Sequence, residues 1–153
     1  MKGLITAGGR GTRMRPVTFS TNKHFIPIAN KPLLHYAIEE MVNAGITQIG
    51  INYNPGQLKE LKENLGSGKN WGVEFTYILQ EEPKGLAHIV KVSQDFIGKE
   101  KFVMHLGDNI FYGGIGNLIK DFEQSKANAL LTVIHHPENQ RMGVPYFNDK
   151  DEL

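Results

Sequence analysis

Leu4-Ile5-Thr6-Ala7-Gly8-Gly9-Arg10-Gly11-Thr12-Arg13-Met14-Arg15 is the stretch on which the reading of this chain turns. The apolar run predicts a buried first strand, Lys2–Ala7, and the glycines after it end that strand in a turn. The chain has four arginines, and three of them, Arg10, Arg13 and Arg15, lie in this one stretch. Glycine lets a backbone turn sharply and bring its N–H groups close to an anion. Guanidinium forks bind phosphate oxygens two at a time. Three crowded cations repel one another unless an anion offsets them. The turn is therefore read as a polyphosphate cradle, with a merely basic surface turn as the alternative.

Neither of two familiar phosphate loops fits. The dinucleotide fingerprint needs G-x-G-x-x-G and an acid about 20 residues further on. Gly9-Arg10-Gly11 begins it, but position 14 is Met14 and the first acidic residue is Glu39. The ATPase loop needs Gly-Lys-Ser/Thr, and the chain has no such triplet.

Outward from the turn, apolar runs alternate with helical patterns. Pro32 opens a helix with apolar residues at Leu33, Leu34, Ala37, Ile38, Met41 and Val42, and Gly45 closes it. Gln48–Tyr53 predicts the second strand, and a charged helix runs from Pro55 to Leu65-Gly66. Val73–Leu79 is the third strand, a helix spans about Gly85 to Phe96, and Lys101–Leu106 is a fourth strand. Ile115–Ser125 reads as helix and Ala129–His135 as a fifth strand. This alternation predicts an α/β fold, a mainly parallel sheet with helices on both faces.

In such sheets ligands sit beyond the carboxyl ends of the strands. The first strand runs into Gly8–Arg15, the third into Gln80-Glu81, and the fourth into Gly107-Asp108-Asn109. An aspartate after a buried strand is a natural magnesium ligand facing a phosphate. It is equally a cap for the next turn. The shared sheet edge with the arginine loop favours the metal reading.

At 153 residues with 40% hydrophobic and 9% aromatic content, the chain can bury one core. A net charge of +1 gives no general attraction to nucleic acid or membrane. The chain has no cysteine, so disulfide and thiol chemistry are excluded and a cytoplasmic setting is expected. Gly8 and Gly9 interrupt the first apolar run before it reaches signal-peptide length, and no apolar stretch is long enough to span a bilayer. The histidines show no metal-ligand spacing.

Gly8–Thr18 (GGRGTRMRPVT), Lys23 and Asn30-Lys31-Pro32-Leu33-Leu34 resemble the signature of sugar-phosphate nucleotidyltransferases. Leu106-Gly107-Asp108-Asn109-Ile110-Phe111-Tyr112-Gly113 is similar to the form found in glucose-1-phosphate thymidylyltransferases. The resemblance implies a Rossmann-like fold and the conversion of dTTP and glucose 1-phosphate to dTDP-glucose and pyrophosphate, by in-line attack at the α-phosphorus. It implies that Gly11, Thr12 and Arg13 hold the β- and γ-phosphates, that Lys23 contacts the reacting phosphates, and that Asp108 binds Mg²⁺. Arg13, Lys23 and Asp108 form the implied catalytic set. Gln80 and the backbone at Gly85 match the positions that read the base, Gly8 and Leu86 those that line the nucleoside, and Gly143 the one that meets a glucose hydroxyl. A solvated Lys23 and a Gln80 serving as a polar strand end are the plainer readings. Met142 stands where relatives often have tyrosine. His24 departs from the family pattern and its role is open.

Family members continue well beyond Leu153, and their further part carries a sugar-phosphate Glu-Lys pair and a second metal-binding aspartate. The resemblance implies that residues 1–153 are the nucleotide-binding part of a nucleotidyltransferase domain truncated at the C-terminus, binding nucleotide with little turnover, and that the full-length form is a homo-oligomer. Two other expectations are a transferase using UTP or another sugar phosphate, and a non-catalytic nucleotide-binding module.

Overall fold

The computed structural model describes residues 1–9, 11–137, 143–146 and 148. The chain divides into two units, Met1–Asp121 and Phe122–Leu153. In chain order the elements are β1 (Lys2–Thr6), β2 (Pro27–Ile28), β3 (Lys31–Pro32), α1 (Leu33–Asn43), β4 (Gln48–Tyr53), α2 (Leu58–Leu65), β5 (Glu74–Leu79), α3 (Leu86–Val92), α4 (Gln94–Ile97), β6 (Phe102–Leu106) and α5 (Gly116–Gln124). Short 3-10 turns occupy Thr12–Met14, Val17–Phe19 and Lys23–Phe25 between β1 and β2.

Four strands form one parallel sheet in the order β5-β4-β1-β6. The β2–β3 pair is a separate two-residue antiparallel ribbon. Successive strand residues point to opposite faces, and here both faces are apolar. Ile5, Ile49, Ile51 and Phe75 pack with Leu34, Ile38 and Met41 of α1 and Leu61 and Leu65 of α2. Leu4 and Ile78 pack on the other face with Ile89 of α3 and Ile97 of α4. Helices thus cover both faces, as a parallel sheet requires.

The order places β1 between the strand that follows it and the strand that comes last. The chain leaves β1 toward β4 on one side and returns to β6 on the other. That reversal of direction leaves a crevice at the carboxyl ends of β1 and β6, the topological switch point of an open α/β sheet.

Three expectations need correction. The strand expected at Ala129–His135 is absent: the run carries no regular structure and no ladder includes it. Leu131, Val133 and Ile134 are 63%, 60% and 77% exposed. Apolar, β-branched residues favour an extended chain, but a strand is completed only by a neighbour that pairs its backbone groups. The second helix begins at Leu58 rather than Pro55, because Asn54-Pro55-Gly56-Gln57 closes a turn through Gln57 N–H to Asn54 O at 3.2 Å. The helix expected from Gly85 to Phe96 is two pieces. Buried Ser93 interrupts it, and its hydroxyl donates back to Ile89 O at 2.7 Å, a bond that competes with helix continuation.

Candidate active site

The loop after β1 is built by its own backbone. Gly9 and Gly11 take φ values of 106° and 58°, a region open to glycine at little cost. Gly11 O accepts from Met14 N–H at 2.9 Å and from the Thr18 hydroxyl at 2.7 Å, which folds the loop onto itself. The Thr12–Met14 turn leaves Thr12 and Arg13 exposed, and among the described residues no carboxylate pairs with Arg13. The Arg15 guanidinium lies 4.9 Å from the centre of the Phe19 ring, a cation–π contact. Arg10, the third cation of the stretch, lies outside the described residues.

Lys23 and Asp108, 85 positions apart, meet across the crevice with Nζ 2.5 Å from Oδ2. Each end of this contact has a local cause. Asn22 caps the Lys23–Phe25 turn by accepting from His24 N–H at 3.1 Å. Gly107 N–H donates to Thr6 O at 3.0 Å, and a Cβ on Gly107 would lie 2.4 Å from that oxygen. Only glycine lets the end of β6 run so close to β1, and that approach delivers Asp108 to the crevice. Asp108 Oδ2 is thereby engaged by Lys23. The Lys23 side chain is 19% exposed and the Asp108 side chain 38%, so water still reaches the carboxylate. An ion pair of this kind adds little to stability and opens readily to an incoming anion or cation.

Burial favours a neutral Asp108 carboxyl, but the hydrogen bond and charge of Lys23 outweigh it and hold the group below its ordinary range. His24 behaves oppositely. It is 1% exposed, and burial, reinforced by the neighbouring Lys23 charge and opposed by Asp108, pushes its imidazole down to about 4. Its Nδ1 lies 2.9 Å from Asn22 Oδ1, an acceptor, so the ring donates there. A neutral histidine thus sits directly behind the lysine without adding to its charge.

A second cluster lies at the ends of β4 and β5. Asn54 Oδ1 accepts from Gly9 N–H at 2.7 Å, and Asn54 Nδ2 donates to Gln80 O at 3.0 Å. Gln57 Nε2 donates to Gly9 O at 3.2 Å. Gln80 is 3% exposed, and its Nε2 lies 3.3 Å from Gly85 O and 3.1 Å from His88 Nδ1. Gly85 and Leu86 begin α3 and are exposed. Gly8 packs so tightly on Asn54 that an added Cβ would fall 2.5 Å from its Oδ1. The first loop, the end of β4 and the end of β5 are therefore one hydrogen-bonded assembly.

The sequence-predicted residues of the first unit thus fall into two groups, Gly11, Thr12, Arg13, Lys23 and Asp108 at one end and Gly8, Gln80, Gly85 and Leu86 at the other. Gly143 belongs to the second unit, is exposed, and has no atom within 4 Å of a Cβ placed on it. Met142 lies outside the described residues. Asn54, Gln57 and Glu40 are functional candidates that sequence patterns do not flag. For Asn54 the available signal is its position after a buried strand and before Pro55-Gly56.

The first group gathers cationic side chains and loop amides around one carboxylate. Loop backbone, an arginine and a lysine can neutralise a polyphosphate, and Asp108 adds a carboxylate for a cation that accompanies it. Among the described residues no three histidines, cysteines or acids cluster as a metal cage. A single carboxylate such as Asp108 is the kind of donor Mg²⁺ takes when it keeps waters and draws further ligands from phosphates. No helix among the described residues is long and apolar enough to cross a membrane.

Comparison with known proteins shows the family of this chain. The chain is 41% identical over 153 residues to a low-salt glycan biosynthesis nucleotidyltransferase of Haloferax volcanii, covering 100% of this chain and 43% of that protein. It is 38% identical over 153 residues to a glucose-1-phosphate thymidylyltransferase of Streptomyces griseus, again covering 100% of this chain and 43% of the relative. A Bacillus anthracis protein assigned as a glucose-1-phosphate thymidylyltransferase, solved with sucrose, superposes with a TM-score of 0.79 at 37% identity, over 82% of this chain and 51% of that one. A UDP-glucose pyrophosphorylase complexed with UDP-glucose superposes with a TM-score of 0.65 at 27% identity, over 80% of this chain and 53% of that one. The chain thus spans less than half the length of these two curated relatives. The nucleotidyl transferase family model matches residues 2–152; with the crevice at the β1–β6 switch point and the glycine-arginine loop beside it, this chain belongs to the nucleotidyl transferase family.

Proposed function

We propose that the chain supplies the nucleotide site of a glucose-1-phosphate thymidylyltransferase, which joins dTTP and glucose 1-phosphate into dTDP-glucose with release of pyrophosphate. The observation that carries this reading is the Lys23–Asp108 contact at the crevice, beside Gly9 and Gly11 of the loop after β1. Gly11, Thr12 and Arg13 bind the β- and γ-phosphates, and Arg13 offsets charge on the departing pyrophosphate. Lys23 binds the phosphates where the bond changes. An oxygen of the sugar phosphate attacks the α-phosphorus and pyrophosphate leaves on the opposite side. Both reactants are anions, so the residues act by neutralising charge and aligning the two groups. Asp108 would hold Mg²⁺, which would supply neutralisation of phosphate charge. The Lys23–Asp108 ion pair keeps both side chains at the crevice.

At the other end, Gly8 and Leu86 line the nucleoside and Gln80 with the Gly85 backbone reads the base. The Gln80 amide already bonds Gly85 O, so reading a base means exchanging a protein partner for it. Gly143 is assigned to a glucose hydroxyl on the family resemblance alone. Calorimetric titration of dTTP with and without Mg²⁺ tests the reading. Binding that tightens with Mg²⁺ in the parent and loses that tightening in Asp108→Asn supports it; absence of nucleotide binding defeats it. The likeness to UDP-glucose pyrophosphorylase makes UTP the competing substrate, and a parallel UTP titration separates the two.

A further inference from the structure

Glu40 lies in the last turn of α1, half-buried with its side chain 11% exposed, yet no reading of the nucleotide site uses it. Its Oε2 lies 2.9 Å from Nε2 of His105, and its Oε1 accepts from Phe111 N–H at 3.0 Å. His105 is the penultimate residue of β6, its side chain 1% exposed, with Nδ1 2.8 Å from Leu106 O. The His105 and Phe111 rings also meet edge to face, 5.2 Å between centres. One carboxylate therefore ties both ends of the segment that carries Asp108 at its middle. Withdrawing most of a carboxylate from water is costly, and an apolar pair often packs such a space as stably. Partners behind a metal ligand are where such a cost is commonly met, because they fix the ligand's orientation.

We propose that Glu40 is a positioning residue which, through His105 and the Phe111 amide, holds the 105–111 segment so that Asp108 meets the metal–nucleotide complex in place. This rests on the reading of Asp108 as the metal-binding carboxylate. Glu40→Met keeps the volume and removes both acceptors. Glu40→Gln keeps an oxygen for Phe111 N–H and offers an amide N–H to Nε2 of a neutral His105 ring, so it restores both ties without the charge.

Two measurements on the purified chain test the inference. The first is Mn²⁺ affinity in the presence of dTTP, from the free Mn²⁺ resonance signal. Glu40→Met is expected to weaken it about tenfold or more, Glu40→Gln to stay close to the parent, and dTTP binding without metal to be unchanged in both. The second is amide hydrogen exchange, which Glu40→Met is expected to speed at Asp108–Phe111 while β1 and β4 stay protected. Should Glu40→Met not fold, His105→Phe, which removes one of the two ties, is expected to shift both readouts in the same direction by less. Unchanged Mn²⁺ affinity in a folded loss variant overturns the inference, and so does a Glu40→Gln variant as impaired as Glu40→Met. Faster exchange in a protein whose parent binds no Mn²⁺ with dTTP leaves the tie standing and brings down the metal reading instead.

Discussion

The two ends of the candidate site are held together by opposite means. At one end, Lys23 and Asp108 form a charged contact that water reaches. At the other, Asn54, Gln57, Gln80 and Gly85 form a neutral hydrogen-bonded cluster whose central amide is 3% exposed. A solvated ion pair is cheap to open, whereas a buried amide that loses its partner costs about 1–3 kcal/mol. The Lys23–Asp108 end is therefore cheap to open, whereas the Gln80 end gives up a partner, as the proposed exchange of Gly85 O for a base requires, only at a cost. Four experiments break or sharpen that contrast.

The largest effect is expected at His24, the neutral residue behind Lys23. The unfolded imidazole takes its proton below about 6.5, the folded one only below about 4. Across that window the unfolded state holds more protons, so stability falls as pH falls from 6.5 toward 4. The loss is on the order of 3 kcal/mol by pH 4. Denaturant melts of the parent and His24→Gln at pH 7 and pH 4 isolate it; equal pH losses in the two proteins would remove His24 as the cause.

Next comes Lys23→Ala, expected to weaken dTTP binding by about 2 kcal/mol, or about 30-fold, through loss of charged hydrogen bonds to phosphate. Calorimetry reads it directly, and a thermal melt should move little because the resting pair is solvated. A melt that collapses would mean the ion pair is structural and the contrast between the two ends is wrong.

Asn54→Ala should show the reverse pattern. It strips Gly9 N–H of its acceptor and Gln80 O of a donor, costing about 1.5 kcal/mol and lowering Tm by about 4 °C. Calorimetric heats scanned with temperature give that value, and nucleotide affinity should change less than Tm suggests.

The smallest effect is expected at Gln80. Thymine and uracil share the edge that an amide can read, so Gln80→Leu should weaken dTTP and UTP alike, by about 1 kcal/mol or about fivefold each. Loss of only one nucleotide would move base selectivity onto Gln80 itself.

Much of this was legible in the residues. The parallel sheet followed from apolar runs alternating with helical patterns, and β4 runs from Gln48 to Tyr53 as the pattern predicts. The arginine loop and Asp108 could be picked out as candidate anion and metal groups by type and by position after strands, and Lys23 by the family resemblance. Ala129–His135 shows where pattern fails. Its composition resembles that of Phe102–Leu106, but β6 has β1 beside it for five residues of register, and the later run joins no ladder. Composition measures a preference for the extended chain, while a strand also needs a partner for its backbone groups.

The site divides the same way. Sequence by itself determined which residue types are available: glycines that admit positive φ, cations for phosphate, one aspartate after the last sheet strand, and apolar periods that make the strands and helices. Those are local properties, set by side-chain chemistry and backbone sterics within a few positions. Only the tertiary structure decided that Lys23 meets Asp108, that Asn54 ties Gly9 to Gln80, and that Glu40 reaches both His105 and Phe111. These contacts join residues between 26 and 85 positions apart. Their partners are chosen by strand order and by the close approach of β6 to β1 at Gly107, which no local pattern encodes.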